Sequence, residues 1–98
     1  MFVVVQHTIL DAPVAFARGQ NLLEGRGAPT GVQVRKFYPS ADQSAVICLW
    51  EANALDEVRE YVDATLGDSS ENACYEVDSE QAFARQPLGL RESAFASA

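Results

Sequence analysis

The first nine residues are apolar almost without interruption. FVVV is followed by Gln6, His7 and Thr8 and then Ile9, a β-branched run that reads as a strand over Phe2–Ile9. Its alternating faces carry Phe2, Val4, Gln6, Thr8 on one side and Val3, Val5, His7, Ile9 on the other, so neither starts as a solvent face. Asp11 before Ala12 and Pro13 is a helix start, a capping carboxylate with a proline in the first turn where its missing N–H is harmless. Ala12, Ala15, Phe16, Gly19, Leu22 and Leu23 then recur at helical spacing to about Glu24, and Gly25 is the stop. A second strand, Val32 to Tyr38, alternates Val32, Val34, Lys36, Tyr38 against Gln33, Arg35, Phe37, and its adjacent basic residues suit a sheet edge. Polar residues 39–44 form a hairpin connection into Ala45 to Glu51, apolar on both faces and therefore expected at the centre of the sheet.

The second half repeats the pattern. Asn53 is the expected cap of a helix whose buried stripe is Leu55, Val58, Val62 and Leu66, with Tyr61 beside it and Gly67 at its end. Residues 68–72 read as a polar loop, Ala73 to Val77 as a fourth strand, and Glu80 to Gln86 as a short helix capped by Ser79 and stopped by Pro87. The expected division is a domain over residues 1–86 and a C-terminal arm over residues 87–98.

Strand, helix, strand, strand, helix, strand is the order of an α+β ferredoxin-like unit, with an antiparallel sheet ordered 4-1-3-2 and both helices on one face. Two helices cover one face only, yet strands 1 and 3 are apolar on both. The economical cover for the second face is the same sheet of another copy, a face-to-face homodimer; the competing cover is the chain's own C-terminal arm.

Length and charge narrow the function classes. Ninety-eight residues make one domain, and 15 of its apolar residues are Ala, which leaves a thin core that favours a partner subunit. No apolar run approaches a membrane span. The opening MFVVVQ lacks a positive n-region and a small-residue cleavage site, so the cytoplasm is the expected compartment. A net charge of −7 repels nucleic acid and anionic membrane. The charge is uneven: residues 51–98 hold eleven acids and three bases, several of the acids on the second helix, which reads first as a solvated face. The glycines of residues 25–31 follow a helix and lack a Lys-Ser/Thr pair, so no phosphate cradle is expected, and no flavin or haem motif stands out.

His7, the only histidine, is the most informative residue. Three roles compete for it: a hydrogen-bonded structural group, a metal ligand, and an acid/base or ligand-binding group. With no His-x3-His or Cys-x2-Cys pair, a metal such as nickel would need carboxylates, thiolates or a second copy's histidine beside it. Gln6, next to His7 in the chain, and Tyr38, Trp50 and Tyr75 join it as candidate ligand-binding residues, the last three because aromatic groups with polar tips commonly line small-molecule pockets. His7 and Glu51 are the candidate proton-transfer groups, with Glu76 a further carboxylate. Cys48 and Cys74 fall on strands separated by strand 1, about 10 Å apart and too far for a disulfide, so both are expected free.

The segments Tyr38–Ser40, Cys48–Ala52 (Cys-Leu-Trp-Glu-Ala) and Asp56–Val62 resemble a family of small dimeric α+β barrels that includes nickel-responsive, nickel-binding proteins. Members often carry adjacent first-strand histidines where this chain has Gln6 and His7. That resemblance implies a dimeric barrel and a divalent metal near His7. The chain is also similar in outline to antibiotic-biosynthesis monooxygenases and muconolactone isomerase, with Trp50-Glu51 at a strand end before a helix. This likeness implies a cofactor-independent isomerase or monooxygenase acting on an apolar or aromatic substrate between sheet and helices.

Overall fold

A computed structural model of the protein describes residues 1–85. Its elements are β1 (Phe2–Ile9), α1 (Ala12–Glu24), β2 (Gln33–Pro39), β3 (Ala45–Glu51), α2 (Leu55–Leu66), a 3-10 turn (Gly67–Ser69) and β4 (Ser70–Glu76). The four strands form one antiparallel sheet in the order β2-β3-β1-β4. This is the expected order read from the other edge, and it makes the fold an α+β arrangement consistent with the ferredoxin-like one.

The core lies between the helices and one sheet face. Val3 and Val5 of β1 are fully buried, as are Val58 and Val62 of α2, each contributing about 1.5–3 kcal/mol through burial. Trp50 packs edge-on against Tyr61 with ring centres 6.0 Å apart. Two side chains fasten the helices to each other. Arg18 of α1 donates to the Leu66 carbonyl at 2.9 Å, placing a cation where the carbonyls of α2 are unsatisfied. The Tyr61 hydroxyl reaches the Arg26 carbonyl at 2.6 Å and the Asn21 carbonyl at 3.3 Å, just beyond and within the end of α1. Asp11 caps α1 by accepting from the Val14 amide, and Gly25 ends the helix at φ +74°, a left-handed conformation that favours glycine.

Four expectations are corrected. The cap of α2 is Ala54, not Asn53, and no side chain closes it; Asp56 and Glu57 supply negative charge in the first turn, which favours the amide end of the helix. β2 does not simply alternate. A bulge at Arg35 sets Val34 opposite Trp50 and Lys36 opposite Leu49, so Phe37 turns to the helix side and Tyr38 away from it. β4 begins at Ser70 rather than Ala73, because Ser70, Glu71 and Asn72 pair with Ile9, Thr8 and His7. Within residues 80–85 there is no helix: Asp78 accepts from the amides of Gln81 and Ala82, and its side chain from that of Glu80, which closes a single turn. With Phe83 82% exposed, that turn has no packing to offset the cost of nucleating a helix. Residue 86 and the arm over 87–98 lie outside the described residues.

The other sheet face is uncovered among the described residues. Ile47 and Tyr75 are exposed to 46% and 50%, and Phe2 and Tyr38 also reach solvent. Val4 lies between Leu49 and Tyr75 in the strand register. No helix of the described residues is long and apolar enough to cross a membrane.

Candidate functional site

The helical side of the sheet holds a cavity of about 260 Å³ under α1. Its floor is His7 and Ile9 from β1 and Val46, Cys48 and Trp50 from β3; Ala15, Phe16, Gly19, Gln20, Leu22 and Leu23 of α1 form the roof, with Phe37 and Leu66 at the sides. The shape follows from how the helices are held. Arg18 and Tyr61 tie α1 to the C-terminal end and body of α2, and Gly19, in the middle of α1, contributes no side chain to fill the space beneath it. Phe16 and Phe37 close one wall edge-to-face with centres 6.5 Å apart. A cavity of 150 Å³ is enough for benzene, so this one has room for a molecule of one or two rings.

His7 is the polar group of the floor. It is 5% exposed, and its Nδ1 lies 2.7 Å from Asn72 Oδ1 on the neighbouring strand. Asn72 is oriented from behind: its amide nitrogen donates to Asp63 of α2 at 2.9 Å, and its Oδ1 accepts from the Ser70 hydroxyl at 2.8 Å. Since that oxygen only accepts, Nδ1 carries the proton and the neutral ring keeps a bare lone pair at Nε2. Burial pushes the imidazole pKa down, opposed by the Asn72 hydrogen bond and the Asp63 charge, which keeps the ring neutral at physiological pH. Among the described residues Nε2 has no hydrogen-bond partner and is not sealed inside the protein.

Cys48 sits diagonally from His7 across the β1–β3 pair. Burial drives its thiol up to about 12, which makes it an inert part of the wall rather than a nucleophile or a ready thiolate ligand. Both cysteines are free, as expected. The Trp50 ring walls the cavity, while its indole N–H is shut away from water with no partner among the described residues.

The structure divides the candidate residues. His7 and Trp50 are brought to one cavity. Gln6, Tyr38 and Tyr75 lie on the uncovered sheet face, where Gln6 is opposite Ile47, Tyr38 opposite Ile47 and Tyr75 opposite Val4. Glu51 pairs with Phe2 at the far end of the sheet, while His7 pairs with Val46; five residues separate the two along β3, roughly 17 Å. Glu51 is instead held by Arg35, which donates to it at 2.9 and 2.6 Å. Glu76 is exposed at the end of β4. Two residues that orient His7 were not among the sequence candidates. Asn72 stands in a segment that reads as loop, and Asp63 reads as part of a solvated helix face; the one signal available was a lone histidine late in a buried strand, which calls for a polar partner nearby.

Among the described residues no three His, Cys, Asp or Glu side chains converge, and His7 Nδ1 is already engaged by Asn72. Compared with known proteins, the chain matches no family model, no curated protein and no solved structure.

Proposed function

We propose that this protein is a small homodimeric α+β barrel that binds a small, mainly apolar organic molecule in the cavity beneath α1, with His7 as its polar anchor. The observation that carries the reading is a buried histidine, engaged at Nδ1 by Asn72, that lines a mainly apolar cavity of about 260 Å³ whose other neutral polar side chain is Gln20. An unpaired polar group is costly in such surroundings, and a ligand able to hydrogen-bond it relieves that cost while apolar contact supplies most of the affinity. A divalent metal is the weaker reading, because the cavity offers it one free imidazole nitrogen and a protonated thiol.

The second copy is the proposed cover for the open sheet face. Four strands of about seven residues form a plate of roughly 19 by 24 Å. Two such plates facing each other bury about 900 Å² before loops are counted, close to the ~1,000 Å² of a specific interface. Tyr38, Ile47 and Tyr75 are exposed on this face and Val4 and Leu49 lie among them in the register, with Gln6 opposite Ile47 and Lys36 opposite Leu49, so the plate carries an apolar patch interrupted by two polar side chains. The fixed tautomer also favours a catalytic version of the same site, since a bare Nε2 is a proton acceptor; an isomerase-like proton shift on the bound molecule is the reaction type this chemistry serves.

Sedimentation velocity at micromolar concentration, with native mass spectrometry of untagged protein, tests both halves of the proposal. A dimer that retains an organic molecule of up to a few hundred daltons, or takes up one- and two-ring aromatic compounds when they are added, is the expected result. A monomer overturns the interface, and a dimer that accepts none of these compounds overturns the pocket.

A further inference from the structure

We infer, resting on the reading of the α1 cavity as a ligand site, that the pocket selects molecules presenting a weakly acidic hydroxyl, a phenol or an enol, on an apolar body. Asn72 and Asp63 impose that choice as positioning residues by fixing which nitrogen of His7 carries the proton.

The Asp63 carboxylate can only accept, so the amide nitrogen of Asn72 faces it at 2.9 Å. The Asn72 oxygen is thereby turned to Ser70 and His7, and His7 must donate to it from Nδ1. What His7 offers the cavity is therefore an acceptor, beside the neutral Gln20 amide in the roof. Among the described residues the only other titratable group on the cavity wall, Cys48 of β3, is held protonated by burial, and Asp63 stands behind Asn72 on the far side of the ring. Among the described residues no Lys or Arg side chain lines the cavity.

Three ligand chemistries then separate. A carboxylate brings acceptors to an acceptor and gives up water without a positive partner, which costs it heavily among apolar walls. A molecule with no polar group fills the space but leaves Nε2 unpaired. A neutral hydroxyl donates to Nε2 and satisfies it, and a more acidic hydroxyl makes the stronger bond because the shared proton leans toward the ring.

The test is isothermal titration at pH 7.5 with three probes of one size: 2-naphthol, 2-methylnaphthalene and 2-naphthoate. The expected ranking in the wild-type protein is 2-naphthol roughly tenfold tighter than 2-methylnaphthalene, as one hydrogen bond allows, and 2-naphthoate at least tenfold weaker than 2-naphthol. Exchanging the positioning pair, Asn72→Asp with Asp63→Asn, sets a carboxylate against Nδ1 and favours the imidazolium, whose Nε2–H is a donor; the preference should then move toward 2-naphthoate. Equal affinity of the wild-type protein for 2-naphthol and 2-naphthoate overturns the inference, as does an unchanged ranking in a folded exchange variant. Since the wild-type ranking needs no variant, misfolding of the exchange protein does not shield the claim. Tight binding of 2-methylnaphthalene with no gain for 2-naphthol sinks the selectivity and leaves the pocket standing. Failure of all three probes to bind removes both.

Discussion

Replacing Gly19 probes the cavity without touching its polar group. The residue lies in the interior of α1, where glycine is less favourable than alanine by about 0.8–1.0 kcal/mol. A Cβ placed there meets Leu66 Cδ2 at 3.9 Å, an ordinary van der Waals distance, so Gly19→Ala gains the helix term without a clash. The net gain should be about 1 kcal/mol, which for a domain of this size raises the melting temperature by roughly 4–8 °C. Gly19→Leu carries the same backbone benefit and extends a branched side chain into a space of about 260 Å³. It should therefore fold with a melting temperature near or above that of wild type and bind 2-naphthol at least tenfold more weakly. Thermal melts followed by circular dichroism, paired with titration calorimetry, separate the two effects. If Gly19→Ala lowers the melting temperature, the Leu66 side chain of α2 leaves no room for the added methyl and the spacing of 3.9 Å is refuted. If Gly19→Leu binds 2-naphthol as wild type does, the cavity is not the binding site.

Other perturbations give distinct signatures. His7 is depressed below its ordinary 6.5 chiefly by burial, so the folded state takes up its proton less readily than the unfolded chain. Its contribution is complete above the unfolded value and is lost as pH falls through 6.5 toward the folded value; melts between pH 7.5 and 5 should show this slope, and His7→Gln should flatten it. Asp42 acts in a lower window, since hydrogen bonds from Ser44 and Ser40 hold it at about 2; the stability it lends should disappear as pH falls from 3.8 through 2, with Asp42→Asn insensitive there. Tyr61→Phe leaves the Arg26 carbonyl without its 2.6 Å donor and should cost about 1 kcal/mol in urea denaturation. A thiol reagent should modify the half-buried Cys74 well before the buried Cys48; simultaneous labelling in the folded protein would mean that the cavity floor is open to reagent.

The apolar elements were legible to the residue. β1, β3 and the span and caps of α1 follow from runs and stripes that burial enforces, and the sheet order follows from their sequence. What escaped the sequence depends on neighbours in space. Ser70, Glu71 and Asn72 have weak strand preferences, yet they pair with β1, and Asn72 earns its strand position by bonding His7. That contact spans 65 residues and leaves no local pattern. The bulge at Arg35 exchanges the roles of Phe37 and Tyr38, a parity change that strict alternation cannot reveal. Gln6 was grouped with His7 because it is adjacent in sequence, although successive strand residues point to opposite faces. Trp50 and His7, which share the buried parity of β3 and β1, were the part of the site that alternation could place together.

The protonation pattern of the His7 ring nitrogens decides whether the cavity presents an acceptor. As the only histidine, it gives a single set of signals in a long-range ¹H–¹⁵N correlation spectrum. At pH 7.5 the expected spectrum is that of a neutral ring protonated at Nδ1 and bare at Nε2, with the Nε2 resonance moving on addition of 2-naphthol. A ring protonated at Nε2, a cationic ring, or an Nε2 signal unmoved by saturating 2-naphthol would contradict it.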